Sequence, residues 1–262
     1  MTNPLDPDGT WTHTDMGFST ATTITVAGAD LAGDLMGKVS FADLAFRFVA
    51  GRFPDEREST LFNAVLVSLA DHGITPTVLA ARLTYLGAPE ALQGAVAAGL
   101  LGGGSVFLGV SEDTARFLHD ALGRAGDSPD DAALAQAAAA AVEELRRDGR
   151  RVPGLGHPVH KDVDPRVPRM YELATGLALH GPNLRLLQLV AEANATQSGR
   201  RLPINGAGVA GAALADLGFD WRIIRGFALL ARTAGVLGHL AEEMRTPMAM
   251  PLWQAVERGV TD

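Results

Sequence analysis

From residue 41 onward, apolar residues recur three or four positions apart almost to the end of the chain, the period of helices that bury one face. Phe41–Val49 reads as a helix stopped by Gly51 and Pro54. Ser59 is placed to cap a second helix, whose stripe is Leu61, Phe62, Val65, Leu66 and Leu69. That helix ends at Asp71-His72-Gly73, where glycine suits the left-handed backbone just past a helix end. Segments 77–86 and 89–101 follow and run into Gly102-Gly103-Gly104-Ser105, a backbone-permissive break. Ser128-Pro129-Asp130-Asp131 predicts a helix start with a serine cap, and the alanine-rich run through Leu145 is its body. Residues 183–194 and 220–245 predict two more helices. In the last, Ile223, Phe227, Leu230, Ala234, Leu237 and Ala241 alternate at four and three residues, which predicts a core seam. Only Thr22–Val26 has the character of a strand, and residues 1–20 read as an extended polar arm. The pattern predicts an all-α fold with a short extended N-terminal segment.

Composition narrows what such a fold does. At 262 residues and 47% hydrophobic, the chain can bury a sizeable core. A net charge of −8 argues against phosphate-backbone binding as its main role, so no nucleic acid is expected. The absence of cysteine excludes disulfides and thiolate metal sites. No apolar run approaches the ~18 residues a membrane helix needs, and the first residues lack a secretory pattern, so a cytoplasmic protein without a membrane partner is expected. No histidine and carboxylate spacing suggests a metal site.

The densest chemistry lies in Pro153-Gly154-Leu155-Gly156-His157-Pro158-Val159-His160-Lys161 with Asp164-Pro165-Arg166. Glycines and prolines bracket an imidazole, which makes a shaped loop. An imidazole beside cations suits proton chemistry on an anionic carbonyl or hydroxy acid. On the last helix, Arg225, Arg232 and His239 stand seven residues apart along one face, and Arg232 lies in the most apolar stretch, where it needs an anionic partner. His13, His119 and His180 read as surface residues, His239 as a structural hydrogen-bonder, and His160 as peripheral to the site.

Three segments, Ala70-Asp71-His72-Gly73, the Pro153–Arg166 loop and Leu202-Pro203-Ile204-Asn205 leading through Gly218 to Ala231-Arg232, together resemble the citrate synthase superfamily, closest to citryl-CoA lyases and the lyase module of ATP-citrate lyase. The resemblance implies an all-α homodimer with a large domain from residues 1–105 and 213–262 and a small domain, 106–212, closing over the cleft. It assigns His72, Arg166 and Arg232 to substrate binding and His157, with His72, to catalysis; the residues themselves add Asn205 to substrate binding and Ser105 to catalysis. Gly154, Leu155 and Gly156 are assigned to contacts with the CoA thioester, which is expected as a substrate with no tightly bound cofactor. Two departures stand out. Ser105 replaces a histidine of the synthases that the lyases also lack, and Ala207 stands at the aspartate of an Asn-x-Asp signature read on Asn205-Gly206-Ala207.

The surviving groups suit retro-aldol cleavage of a citryl-CoA-like substrate, with His157 as base on the tertiary hydroxyl and Ser105 among the donors to the enolate. Two other readings stay open: a CoA-independent retro-aldol or retro-Claisen enzyme on a small polycarboxylate or diketone, and a catalytically silent ligand-binding homologue.

Overall fold

The computed structural model describes residues 14–126 and 128–261. The chain divides into two compact units between Ser59 and Thr60.

In the first unit, β1 (Gly17–Ser19), β2 (Ile24–Val26) and β3 (Ala29–Asp30) form an antiparallel meander. Gly17 pairs with Val26 and Thr25 with Asp30. Part of the expected arm is therefore strand, because Ile24-Thr25-Val26 offers it a pairing edge; residues 1–13, with His13, lie outside the described residues. A π-helical turn, Leu31–Leu35, leads to α1 (Phe41–Ala50). Ser40 caps α1 by accepting the Asp43 amide, and Gly51, at φ 73°, closes it.

Helix α2 (Glu56–Ala70) starts before the expected Ser59. Asp55 Oδ1 accepts the amides of Arg57 and Glu58, and Glu58 Oε2 accepts the Asp55 amide, a reciprocal box that out-competes a serine cap one turn later. Ser59 instead donates to Asp43.

The second unit is helical: α3 (Pro76–Gly87), α4 (Leu92–Leu108), α5 (Val110–Ala125), α6 (Asp131–Arg147), α7 (Arg166–Gly176), α8 (Pro182–Ser198), α9 (Gly206–Asp216), α10 (Trp221–Arg245) and α11 (Ala249–Thr261). The glycine break is a kink inside α4, made by Gly104 at φ 50°, ψ −157°. Asp130, not Ser128, caps α6, by accepting the Ala133 amide at 2.8 Å; Ser128 has φ 54° and belongs to the preceding turn. Helices α5 to α9 pack on one another, and α3, α4 and α10 form a second cluster around Ala81, Ala95, Val236 and Leu240. An aromatic cluster joins Phe62 to Phe219 and Phe227, with centroids 5.7 and 5.0 Å away.

The seam read from α10 is corrected. Its buried stripe is Ile224, Phe227, Ala228, Ala231, Arg232, Val236, Leu240 and Glu243, whereas Ile223 and Leu237 are exposed. Periodicity alone finds an apolar face, and this helix has two, one of them packed inside the chain. The membrane-length expectation is corrected too. By length and composition, Leu92–Ala125 and Trp221–Arg245 are long and apolar enough to cross a membrane, because alanine and glycine keep their windows apolar between few charges.

Candidate active site

The carboxyl end of α2 is the floor of the site. Gly235 lets α10 lie against it: a Cβ there would meet the Ala70 carbonyl oxygen at 2.1 Å. The last carbonyls of α2, which carry the negative end of the helix dipole, each take an arginine. Arg166 Nη1 donates to Ser68 O at 3.2 Å, and Arg232 Nε to Leu69 O at 3.2 Å.

Arg166 is aimed by a carboxylate that sequence reasoning assigned no role. Asp164 is fully buried and holds Arg166 through both oxygens, at 2.9 and 2.7 Å, while accepting the Arg166 and Gly206 amides. Burial opposes its ionisation, yet Arg166 and these amides hold its carboxyl at about 2. Gly206 admits this geometry, since a Cβ would lie 2.2 Å from the guanidinium. A carboxyl near 4 in the unfolded chain and about 2 in the folded one stabilises the fold above pH 4 and loses that contribution as pH falls toward 2. The loss amounts to about 2 kcal/mol. Denaturant melts of the parent and Asp164→Asn between pH 5 and 2 are expected to converge as pH falls; a constant gap would contradict this.

Arg232 is 8% exposed and has no carboxylate within ion-pair distance among the described residues. Burial lowers its pKa, Asp71 raises it, and Arg166 lowers it again, so both guanidiniums share one electrostatic neighbourhood. A buried guanidinium without an acid carries uncompensated charge that an anion would balance. Arg225, on the same sequence line, is two-thirds covered and pairs with Glu112 at 2.7 Å. The line of three therefore splits into a structural ion pair, a buried arginine bonded to a helix carbonyl, and a hydrogen-bonded histidine.

His72, just past α2, meets His157 and His160 of the shaped loop. Ring centroids are 5.1 Å apart for His72 and His157, 6.0 Å for His72 and His160, and 4.5 Å for the stacked His157 and His160. One nitrogen of each lies within 4.8 Å of the others, the spacing of a candidate cation site. The Nδ1 of His157, however, already accepts two amides of its own loop, which leaves a proton and not a lone pair on its Nε2, and Arg166 adds positive charge beside it. The arrangement suits an anion better than a cation. His160 thus belongs to the cluster and is not peripheral.

His157 is oriented by its own loop. Its Nδ1 accepts the amides of Val159 and His160 at 3.1 and 3.0 Å. The neutral ring therefore carries its proton on Nε2 and presents a donor. Burial lowers its pKa, with His160 next and Asp164 opposing, which favours this neutral form. This geometry favours a hydrogen-bond donor at Nε2 over the expected base, since protonation at Nδ1 would break both amide bonds.

Other expectations are redistributed. Asn205 caps α9, its Oδ1 accepting the Gly208 amide at 2.8 Å and its Nδ2 donating to Gly156 O at 2.9 Å, so both ends are occupied within the chain. Gly154, at φ 79°, packs against Gly208 and Thr114 and is buried, whereas Leu155 and Gly156 line a cavity. Leu155 bridges Ile204, which joins the two loops. Ser105 is exposed just past the α4 kink, and no hydrogen bond joins it to the histidines among the described residues. His119 is exposed, and His180 lies 5.7 Å from Tyr171.

The cavity holds about 870 Å³ and is bounded on one side by His157 and His160. Arg146, Arg150, Arg151, Lys161, Arg200 and Arg201 line it, with no acidic residue among its walls. An acidic chain thus concentrates six cations around one opening. Sequence reasoning passed over them; the signal was the doubled Arg150-Arg151 and Arg200-Arg201, flanking the two loops that the Leu155–Ile204 bridge brings together.

Comparison with known proteins places this architecture. The family described as "Citrate synthase, C-terminal domain" matches residues 18–252. The structure of citryl-CoA lyase from Hydrogenobacter thermophilus superimposes with a TM-score of 0.80 and 33% identity, covering 89% of this chain and 87% of that one. An alanine variant of ATP citrate lyase from Methanosaeta concilii, in complex with (3S)-citryl-CoA, has a TM-score of 0.70 at 21% identity over 90% of this chain and 39% of that one. A probable ATP-citrate synthase from Dictyostelium discoideum is 27% identical over 217 residues. The match spans about a third of that protein, 32% of its length.

Proposed function

Because the chain belongs to the citrate synthase family, we propose that it is a carbon–carbon lyase that cleaves a citryl-CoA-like thioester to acetyl-CoA and oxaloacetate. The observation that carries this reading is the adjacency of two kinds of anion site. The arginine and imidazole cluster suits the carboxylates and hydroxyl of a citryl group, and the cationic cavity bounded by His157 and His160 suits the phosphates of CoA. The likeness to a citryl-CoA lyase over nearly all of both chains supports it.

In this reading Arg166 and Arg232 hold carboxylates, and the His157 Nε2–H holds the C3 oxygen. His72, whose ring has no hydrogen bond among the described residues, takes the proton leaving that hydroxyl. The C3 oxygen becomes the oxaloacetate carbonyl, and the electrons of the broken carbon–carbon bond pass to the acetyl-CoA enolate. Ser105 and the kinked Gly104 backbone are the candidate donors to that enolate. Ala207 offers no carboxylate, so solvent returns the proton to the acetyl carbon. In this reading residues 106–212 act as a small domain that closes on the substrate.

Incubation with (3S)-citryl-CoA and measurement of released oxaloacetate tests the reading. Arg150→Glu with Arg201→Glu is expected to raise KM for the thioester by roughly ten- to a hundredfold, with a weaker salt dependence, and to leave citrate affinity unchanged. An unchanged KM would remove CoA from the cavity and favour the CoA-independent enzyme. Ala207 favours one second reading, a silent homologue, which predicts citrate and CoA binding with no oxaloacetate released.

The protein is proposed to act as a homodimer. Leu101, Val106 and Phe107 of α4, Ile223, Leu237 and Met244 of α10, and Trp253 and Val256 of α11 leave large apolar areas exposed on a single chain. Light scattering at micromolar concentration is expected to give twice the 27.4 kDa chain mass, and a monomer would contradict it.

A further inference from the structure

Arg82 of α3 is 1% exposed. Its Nη1 donates to Glu243 Oε2 at 2.7 Å, and its Nη2 bonds to Glu242. The same Nη2 lies 3.0 Å from His239 Nδ1. A guanidinium only donates, so His239 Nδ1 must carry the lone pair and the ring proton must sit on Nε2. That Nε2–H donates to Asp71 Oδ1 at 2.9 Å. Asp71 in turn accepts the Gly73 amide through Oδ2 at 2.9 Å, which braces both sides of His72. The Asp71 charge also supports the ionised form of buried Arg232. Two carboxylates already balance the Arg82 charge, so burial of Arg82 does not require His239 as a third partner. What His239 adds is a link: it joins the buried pair to the short loop that carries His72.

We propose that His239 is a positioning residue of the site: held in its Nε2–H tautomer by Arg82, it fixes Asp71 and through it the His72 loop and the counter-charge of Arg232. The proposal deepens the functional reading and rests on it in one respect, that His72 meets the substrate hydroxyl and Arg232 a substrate carboxylate. Glutamine can reproduce the link, its carbonyl facing Arg82 and its amide facing Asp71, whereas leucine fills similar space with neither.

The test compares His239→Gln with His239→Leu. Citrate affinity by calorimetry is expected to fall about tenfold in His239→Leu and to stay within threefold of the parent in His239→Gln, and in the cleavage assay the leucine variant is expected to raise KM more than it lowers kcat. Imidazole ¹⁵N spectra provide a readout that needs no activity. They are expected to show a bare Nδ1 and protonated Nε2 on His239, with His72 resonances displaced in His239→Leu and unmoved in His239→Gln. Equal citrate affinity in all three proteins, equal losses in both variants, or a protonated Nδ1 on His239 would overturn the proposal. If the parent binds no citrate, the functional reading fails by itself, and the spectra alone decide: unmoved His72 resonances in His239→Leu then overturn the link. If the leucine variant does not fold, Asp71→Asn, which keeps shape and removes the charge, must displace the His72 resonances for the proposal to stand.

Discussion

Replacing His157 with alanine is expected to lower citryl-CoA cleavage by roughly 10²–10³ while leaving the fold intact, the loss seen when a preorganised donor to a developing oxyanion is removed. The loop does not depend on the imidazole for its shape. Its course is set by Gly154 and Gly156 at positive φ, by the Gly156 amide on Pro203 O at 2.7 Å, and by the Asn205 amide on Gly154 O at 2.9 Å. Only the two amides on Nδ1 lose a partner. Stopped-flow measurement of thioester cleavage, with circular dichroism as the control, checks this, and full activity without His157 would rule out the mechanism. Ala207→Asp probes the other half of the reaction. Ala207 sits in the first turn of α9, between Gly206, against the Arg166 guanidinium, and Gly208, against Gly154. A carboxylate there is expected to raise proton exchange into acetyl-CoA by roughly 10²–10⁴, the range of general acid–base catalysis. Unchanged exchange would show that this site does not handle the acetyl carbon.

Arg232→Ala is expected to weaken citrate binding roughly ten- to a hundredfold, the equivalent of the 1.5–3 kcal/mol of a hydrogen bond to a charged group. Arg225→Ala is expected to change it less than threefold. The two arginines occupy one face of the same helix, two turns apart, and differ in their partners. Arg232 is buried, with the Leu69 carbonyl its one acceptor among the described residues, whereas Arg225 already holds Glu112. Isothermal calorimetry with citrate separates them, and equal, small effects would show that Arg232 is a packing residue. Arg166 is less diagnostic, since Asp164 holds it and its removal would leave that carboxylate buried without its partner.

Much of this was legible from residues close in sequence. Helix existence, the glycine stop at Gly51 and the break at Gly104 came from short-range patterns, and the family resemblance, carried by three segments together, singled out His72, His157, Arg166 and Arg232. The errors have one origin. Ser59 and Ser128 are good cap residues, but Asp55 with Glu58 and Asp130 were better placed nearby, and local propensity alone does not rank such neighbours. The α10 seam failed because an apolar face does not state what covers it.

The sequence by itself determined that the chain is helical, that a glycine- and proline-shaped loop presents imidazoles beside cations, and which side chains can hold a carboxylate. Those properties follow from side-chain chemistry and from backbone preferences acting over a few residues. Only the tertiary structure decided which nitrogen of His157 carries the proton, that Asn205 is engaged as a cap, that Arg225 is paired with a carboxylate and Arg232 is buried against a helix carbonyl, and that arginines near residues 150 and 200 line one cavity. Each depends on contacts between segments tens of residues apart, and a hydrogen-bond partner or a buried charge is defined by what packing brings to it, which no local pattern encodes.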